Sequence, residues 1–141
     1  MTAAFTILLV DDITANLDIL EDYLENSGYH LASARNGIEA WTLLEREPDR
    51  FHAVLLDLMM PGMTGMEVLH RMKAHPILTH VPVIIQTAAT SPSQISEGLA
   101  AGAHYYLTKP FEKADLLSIL ATAVRDRDAY LTVQRELASS A

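Results

Sequence analysis

Short apolar runs and longer segments of helical periodicity alternate five times along the 141 residues of this chain, and no other sequence feature constrains the fold as strongly. Most of the runs are almost continuously apolar, which is typical of strands that are buried on both faces, as in a parallel sheet. The predicted strands cover residues 6–10, 30–34, 53–56, 83–86 and 105–107.

The segments between these runs carry apolar residues at helical spacing. A leucine stripe predicts a first helix from Thr14 to Ser27, with Thr14 as its N-cap and Gly28 just beyond its last turn. The last helix begins after Phe111 and is the longest. The five stripes consist of Leu17, Leu20 and Leu24; Ile38, Trp41 and Leu44; Met66, Leu69 and Met72; Ile95 and Leu99; and Leu116, Leu120 and Val124.

Strands that alternate with helices through short connections predict parallel strands joined by right-handed crossovers. Five units are too few to close an eight-stranded barrel. The remaining common solution is an open, doubly wound α/β sheet with helices on both faces. In such a sheet the ligand site lies at the carboxyl ends of the strands.

Composition excludes several classes of protein. The length is that of one domain with a single core. The absence of cysteine excludes a disulfide scaffold and a thiolate metal site, and it suits a cytoplasmic location. A net charge of −8 argues against direct binding to nucleic acid. The first residues carry no basic region, and their apolar run ends at two aspartates, which predicts neither a signal peptide nor membrane insertion.

Polar residues follow four of the five predicted strands. Asp11 and Asp12 follow the first strand, Asp57 the third, Thr87 the fourth and Lys109 the fifth. An aspartate after a strand is usually a turn residue, but parallel strands would bring all of these groups to one rim. Carboxylates held close together need a cation, and oxygen ligands without histidine or cysteine select a hard ion such as Mg²⁺. An aspartate can also act as the nucleophile in phosphoryl transfer, and a lysine and a hydroxyl would complete a cradle for the phosphoryl group.

Four segments, LLVDD, LLDLMMPGMTGMEVL, PVIIQTA and GAHYYLTKPF, resemble the signature segments of the response regulator receiver domain, a CheY-like module of two-component signalling. The resemblance covers roughly residues 5–125. It implies a flavodoxin-like fold with strand order 2-1-3-4-5. It also implies a phosphorelay in which a histidine kinase or a phosphotransfer protein is the phosphodonor and Mg²⁺ is the cofactor.

The resemblance also assigns roles to single residues. Asp57 resembles the phosphoacceptor, and Lys109, which precedes Pro110 in a bond that resembles the family's cis peptide, would pair with the phosphoryl group. Thr87 resembles the switch hydroxyl and Tyr106 its aromatic partner. The implied Mg²⁺ ligands are Asp11, Asp12, Asp57 and the carbonyl of Met59, and the implied catalytic groups are Asp57, Lys109, Thr87 and the amide of Ala88. Met59 and Ala89 stand at the positions that tune the lifetime of the phosphate in this family, and neither carries an acid or an amide.

Three other functions fit the sequence less well. A metal-dependent phosphatase with an aspartate nucleophile would need a second carboxylate near Asp57, and position 59 is a methionine. A dinucleotide-binding domain would need a glycine-rich first turn, whereas this turn is Asp-Asp-Ile-Thr. A degenerate receiver used only as a scaffold would not need the complete set of acids, threonine and lysine. We therefore expect no enzymatic activity beyond the chain's own phosphorylation and dephosphorylation.

The helical pattern continues beyond the receiver segment. We expect a receiver domain over residues 1–125 and a C-terminal helical extension over residues 126–141, with Tyr130, Val133 and Leu137 as its apolar stripe. Two interpretations remain open: a solvated tail, or a helix that either pairs with a second copy as a homodimer or leads into an output domain of a larger regulator. We expect a mixed-charge outer face formed by Arg125, Arg127, Arg135 and Glu136.

Overall fold

A computed structural model describes residues 5–88 and 92–140 of the chain. It contains a five-stranded parallel sheet in the order β2-β1-β3-β4-β5, which confirms the predicted fold class and strand order. The strands are β1 (Thr6–Val10), β2 (His30–Ala34), β3 (Ala53–Asp57), β4 (Val83–Ala88) and β5 (Tyr105–Lys109). The helices are α1 (Thr14–Leu24), α2 (Gly37–Arg46), α3 (Gly65–Lys73), α4 (Pro92–Ala100) and α5 (Lys113–Ser140), with a 3-10 turn at Leu78–His80.

The sheet is covered on both faces. Alternate residues of a strand point to opposite faces, so that Leu8 and Val10 of β1 pack with α2 and α3. Ile7 and Leu9 of the same strand pack with α1 and α5. All four of these β1 side chains are fully buried. Burial on both faces explains why the strands are almost continuously apolar in sequence.

Three strands extend further than their apolar runs. β3 includes Asp57, β4 continues to Ala88, and β5 continues to Lys109. The hydrogen-bonded register continues as well, with Asp57 opposite Gln86 and Ala88 opposite Lys109. The groups expected at the rim of the sheet are therefore held by strand pairing rather than by loops.

Two expectations about α1 are wrong. The N-cap is Ile13 rather than Thr14, and no side chain of the described residues caps this end of the helix. The Ile13 amide instead donates a hydrogen bond to Oδ1 of Asp11, 3.0 Å away. The helix ends at Leu24 because the chain turns through Asn26, whose φ is 64°, before it reaches Gly28 at φ 88°.

Several stripe residues face solvent instead of the core. Ile38 of α2 is 62% exposed. Ala40 packs against the sheet in the position that was expected for Ile38. In α4 the buried residue is Gly98 rather than Leu99. A side chain at Gly98 would collide with Ile85 of β4, since an added Cβ would lie 2.1 Å from the Cδ1 atom. A side chain at this position would therefore require the Ile85 side chain to shift.

The last helix, α5, runs for 28 residues without interruption. The expectation that Arg127 lies on its outer face is wrong, because this side chain is 2% exposed. Beyond it the ring of Tyr130 stacks on His80, with centroids 4.5 Å apart, so the helix packs against the domain past residue 125. None of the helices in the described part of the chain is long and apolar enough to span a bilayer.

Candidate functional site

Three carboxylates meet at the rim formed by the carboxyl ends of the strands. Asp11 and Asp12 directly follow β1, and Asp57 is the last residue of β3, the neighbouring strand. Each of the three offers a carboxylate oxygen that lies within 4.8 Å of the other two. Asp11 is fully buried and Asp57 is 5% exposed, whereas Asp12 is more open to solvent.

Lys109 supplies a positive charge to this cluster from β5, on the far side of β4. Its Nζ atom lies 2.7 Å from Oδ2 of Asp11 and 3.6 Å from Oδ2 of Asp57. The other Asp11 oxygen accepts hydrogen bonds from the Ile13 amide and from Nδ2 of Asn16. The Lys109–Pro110 peptide bond is cis, as the resemblance implied. The ammonium group can therefore neutralise charge on either carboxylate.

Asp57 is the carboxylate whose protonation is most strongly altered. Burial raises the pKa of Asp57 from its usual value of 3.8 to about 6. Lys109 and the Met59 amide, which donates to Oδ1 over 3.1 Å, lower this pKa, and the charges of Asp11 and Asp12 raise it. A cation that replaced this repulsion by attraction would keep Asp57 ionised and nucleophilic at neutral pH.

The donor set of this cluster fits Mg²⁺. The ion prefers oxygen ligands and binds through one or two carboxylates together with water and phosphate oxygens. The cluster offers only carboxylate oxygens, and two of the three residues are withdrawn from bulk water. Like charges this close together are unfavourable without a cation.

The loop after Asp57 packs tightly against the end of β3. An added Cβ at Gly65 would lie 2.2 Å from the carbonyl oxygen of Asp57. Any side chain at this position would therefore displace the backbone of Asp57. Met59 in the same loop is 62% exposed, and its sulfur accepts a hydrogen bond from Nε2 of Gln94 over 3.0 Å.

The residues expected to form the switch lie on β4 and β5. Thr87 is buried, and its hydroxyl has no hydrogen-bond partner among the described residues. A buried hydroxyl without a partner is energetically costly. Ala88 is exposed and Tyr106 is 47% exposed. Ala89 lies outside the described residues.

Sequence reasoning missed two polar residues that support the cluster. Gln86 of β4 is 1% exposed, and its Nε2 donates to the carbonyl of Val10, 3.2 Å away and directly before Asp11. Asn16 of α1 donates to Asp11 over 3.4 Å. The signal for Gln86 was present, since it interrupts an otherwise apolar strand.

We expect Mg²⁺ to stabilise the protein by mass action, by about 1.4 kcal/mol at a concentration ten times its dissociation constant. Asp12→Ala should remove most of this effect and should raise the stability of the metal-free protein, because one repelling charge is lost. Thermal unfolding with and without Mg²⁺ measures both, with Asp18→Ala on the exposed side of α1 as the control. A melting temperature that does not respond to millimolar Mg²⁺ would show that the three carboxylates share no cation.

Comparison with known proteins identifies one family and similar members of it. Residues 7–121 match the family described as the response regulator receiver domain. The response regulator PleD of Caulobacter vibrioides is 38% identical over 120 residues, which cover 84% of this chain and 26% of PleD. The chemotaxis protein CheY4 of Vibrio cholerae has a TM-score of 0.78 at 31% identity, over 86% of this chain and 99% of that one.

A third relative has its metal in place. The receiver domain of the sensor histidine kinase PA1611 from Pseudomonas aeruginosa, with a magnesium ion coordinated in its active site cleft, has a TM-score of 0.78 at 33% identity. It matches 86% of this chain and 98% of its own. The chain spans between about a quarter and half of the length of the curated regulators that it matches. The family match, the strand order and the acidic cluster lead to one conclusion: this chain belongs to the response regulator receiver domains of two-component signalling.

Proposed function

We propose that this chain is a phosphorelay receiver in which Asp57 accepts a phosphoryl group from a histidine kinase or a phosphotransfer protein. Receiver domains in general are phosphoacceptors that interact with such proteins and bind Mg²⁺ at an acidic site. The observation that carries the proposal is the convergence of Asp11, Asp12 and Asp57 with the Lys109 ammonium group at one rim of the sheet.

In the proposed reaction a carboxylate oxygen of Asp57 attacks the donor's phosphorus. The bond between phosphorus and the donor's nitrogen or oxygen breaks, and its electron pair leaves with the donor. Mg²⁺, held by Asp11, Asp12, Asp57 and the Met59 carbonyl, would supply positive charge to the phosphoryl oxygens. Lys109 lies 3.6 Å from Asp57 and is placed to neutralise a further oxygen. The Ala88 amide would add a donor, and attack by water on the same phosphorus would later reverse the modification.

Labelling with a small acyl phosphate tests this proposal without a kinase. The chain should gain the mass of one phosphoryl group in the presence of Mg²⁺ and none in the presence of a chelator. The modification should be lost in mild base, because an aspartyl phosphate is a mixed anhydride. Failure to gain mass, or a modification that is stable to base, would refute the assignment.

The signal would leave the site through β4 and β5. The Thr87 hydroxyl has no hydrogen-bond partner among residues 5–88 and 92–140. We propose that it donates to a phosphoryl oxygen on Asp57, and that Tyr106, now 47% exposed, changes its position in response. Such a change is a shift between two populated states, driven by contacts that the phosphoryl group makes in only one of them.

Thr87→Ala should therefore separate chemistry from signalling. We expect this variant still to accept phosphate on Asp57 but to lose the chemical-shift changes in β4, α4 and β5. Thr87→Ser keeps the hydroxyl and should restore them. Amide spectra of the three phosphorylated proteins make the comparison, and identical changes in the alanine variant would disprove the coupling.

The partner surface is proposed to lie beside Lys109. An apolar cavity of about 280 Å³ opens there between α1 and the Pro110–Phe111 segment. Ile19 on its edge is 48% exposed, which suits contact with the protein that delivers the phosphoryl group. Because the phosphoryl group is delivered where the kinase has access to ATP, we propose that the chain is located in the cytoplasm. The net charge of −8 supports an output through protein contacts rather than through direct contact with DNA.

We further propose that residues 126–141 form a helical extension of the receiver, residues 1–125, and that this extension pairs with a second copy. Val133 and Leu137 are 50% and 59% exposed. They are four residues apart and therefore lie on the same side of α5, where a second helix could contact both. A chain truncated after Arg127 should sediment as a monomer, whereas the full chain should form dimers. Val133→Asn should have the same effect without loss of length. Monomers in every state, with or without phosphate, would favour a connector to an output domain.

A further inference from the structure

The end of the sheet opposite the phosphorylation rim contains a buried positive charge. Arg127 of α5 is 2% exposed, and its Nε atom has no hydrogen-bond partner in the part of the chain that the structure describes. Within residues 5–88 and 92–140 no carboxylate forms an ion pair with this guanidinium group. A buried charge without a counterion is among the most unfavourable features that a fold can contain.

The surroundings of Arg127 compensate its charge only in part. Its Cζ atom lies 5.6 Å from the ring centroid of Tyr130, a favourable but modest contact. Burial lowers the pKa of Arg127 from its usual value, and Tyr130 and the exposed carboxylate of Asp49 raise it by less. The positive charge also lowers the pKa of His52, after the larger effect of that residue's own burial.

A cavity of about 190 Å³ opens beside this guanidinium group. A water molecule takes up about 30 Å³ in the liquid, so this space holds a small molecule together with some water. One wall comes from α5 and the other from the segments that precede β3 and β4. The polar groups in the lining are Arg127, Tyr130 and Gln134 on the first wall and Asp49 and His80 on the second.

We propose that this cavity binds a small anion with a single negative charge, a carboxylate or an oxyanion, through the guanidinium group of Arg127. The ligand would accept hydrogen bonds from Arg127 and would replace the missing counterion. Gln134 and His80 offer further donors. Asp49 limits the charge of the ligand, because a second negative charge would face its carboxylate.

The two walls give this site a structural role. Arg127, Tyr130 and Gln134 belong to the long helix, whereas Asp49 and His80 belong to loops of the receiver fold. An anion between them joins the helix to the domain. The proposal is independent of the phosphorylation site, which lies at the opposite ends of the strands.

Titration of the full chain with acetate in the presence of a chelator, at constant ionic strength, tests the proposal. The side-chain Nε–Hε signal of Arg127 should shift saturably, with a dissociation constant on the order of 1 mM. Asp49→Asn should tighten binding at least threefold, and Arg127→Met should abolish it. Arg125→Met, an exposed arginine on the same helix, serves as the matched control and should bind as the wild type does. Phosphate at pH 8, which carries two charges, should bind more weakly than acetate.

Three results would overturn this assignment. The first is a shift that grows linearly with acetate, and the second is an equal saturable shift of the neighbouring Tyr130 and Gln134 amides in Arg127→Met. The third is an Asp49→Asn protein that is less stable and binds no acetate, because Asp49 would then itself be the counterion. If Arg127→Met does not fold, Gln134→Leu replaces it. This exposed change removes one donor and should weaken acetate binding about threefold. Unchanged binding in Gln134→Leu would then count against the site.

Discussion

Replacing Asp57 with asparagine is expected to reduce phosphoryl incorporation from an acyl phosphate by roughly 100-fold or more, because the amide removes the attacking oxygen. Asparagine keeps the shape of the side chain and its ability to accept the hydrogen bond from the Met59 amide. Intact-mass measurement in Mg²⁺ compares the two proteins. Asp18→Asn, an exposed change on α1, controls for the loss of one negative charge. Equal labelling of wild type and Asp57→Asn would show that another residue is the phosphoacceptor.

The same variant has a second readout in the pH dependence of stability. Burial raises the pKa of Asp57 to about 6 in the folded protein, against 3.8 for an ordinary aspartate. The folded state therefore keeps this proton at a higher pH than the unfolded state does. The resulting stabilisation is complete below about pH 4 and is lost as the pH rises through 6, a change of about 3 kcal/mol. Metal-free Asp57→Asn should lack this loss, which urea unfolding across the pH range measures.

Lys109→Met is expected to lower the stability of the metal-free protein by about 2 kcal/mol at pH 7. The substitution leaves Asp11, which is fully buried, without the ammonium group that lies 2.7 Å from it. The partial exposure of Lys109 reduces the expected loss below that of a fully buried pair. Urea unfolding in a chelator gives the free energy.

Added Mg²⁺ should restore part of the stability of Lys109→Met, because the ion supplies the positive charge that the variant lacks. Lys113→Met, an exposed lysine in the first turn of α5, is the matched control and should change stability little. A Lys109→Met protein as stable as the control would show that the ammonium group does not compensate the buried carboxylates.

The sequence predicted the strands well because both faces of this sheet are buried. Ile7 and Leu8 contact opposite layers, so neither can be polar, and the run remains visible without any knowledge of its partners. The strand ends were placed too early at Asp57, Thr87 and Lys109, since backbone pairing continues where the apolar pattern stops.

The clustering of the acidic and basic groups was also predictable. In a parallel sheet a side chain at the carboxyl end of one strand must lie near those of its neighbours, which is why Asp11, Asp57 and Lys109 meet. The roles assigned to single residues remain predictions for the experiments above.

Contacts that depend on how two distant elements meet could not be predicted. Ile38 was assigned to the core because its spacing is helical, but the small residue Ala40 faces the sheet instead. Arg127 was assigned to the surface because it is charged, and its burial depends on where the loop of His80 lies relative to α5. Gln86 was visible as a polar interruption, yet its bond to Val10 crosses from β4 to β1.

The order of the strands makes β3, which carries Asp57, harder to displace than β5, which carries Lys109. β3 is hydrogen-bonded along both edges, so a movement of Asp57 that carries its strand along disturbs two ladders. β5 is bonded along one edge, and Lys109 and Tyr106 can shift at the expense of a single ladder. If Asp57 is phosphorylated as proposed, the new charge would be accommodated at the periphery of the sheet, where a neighbouring protein could detect the displacement.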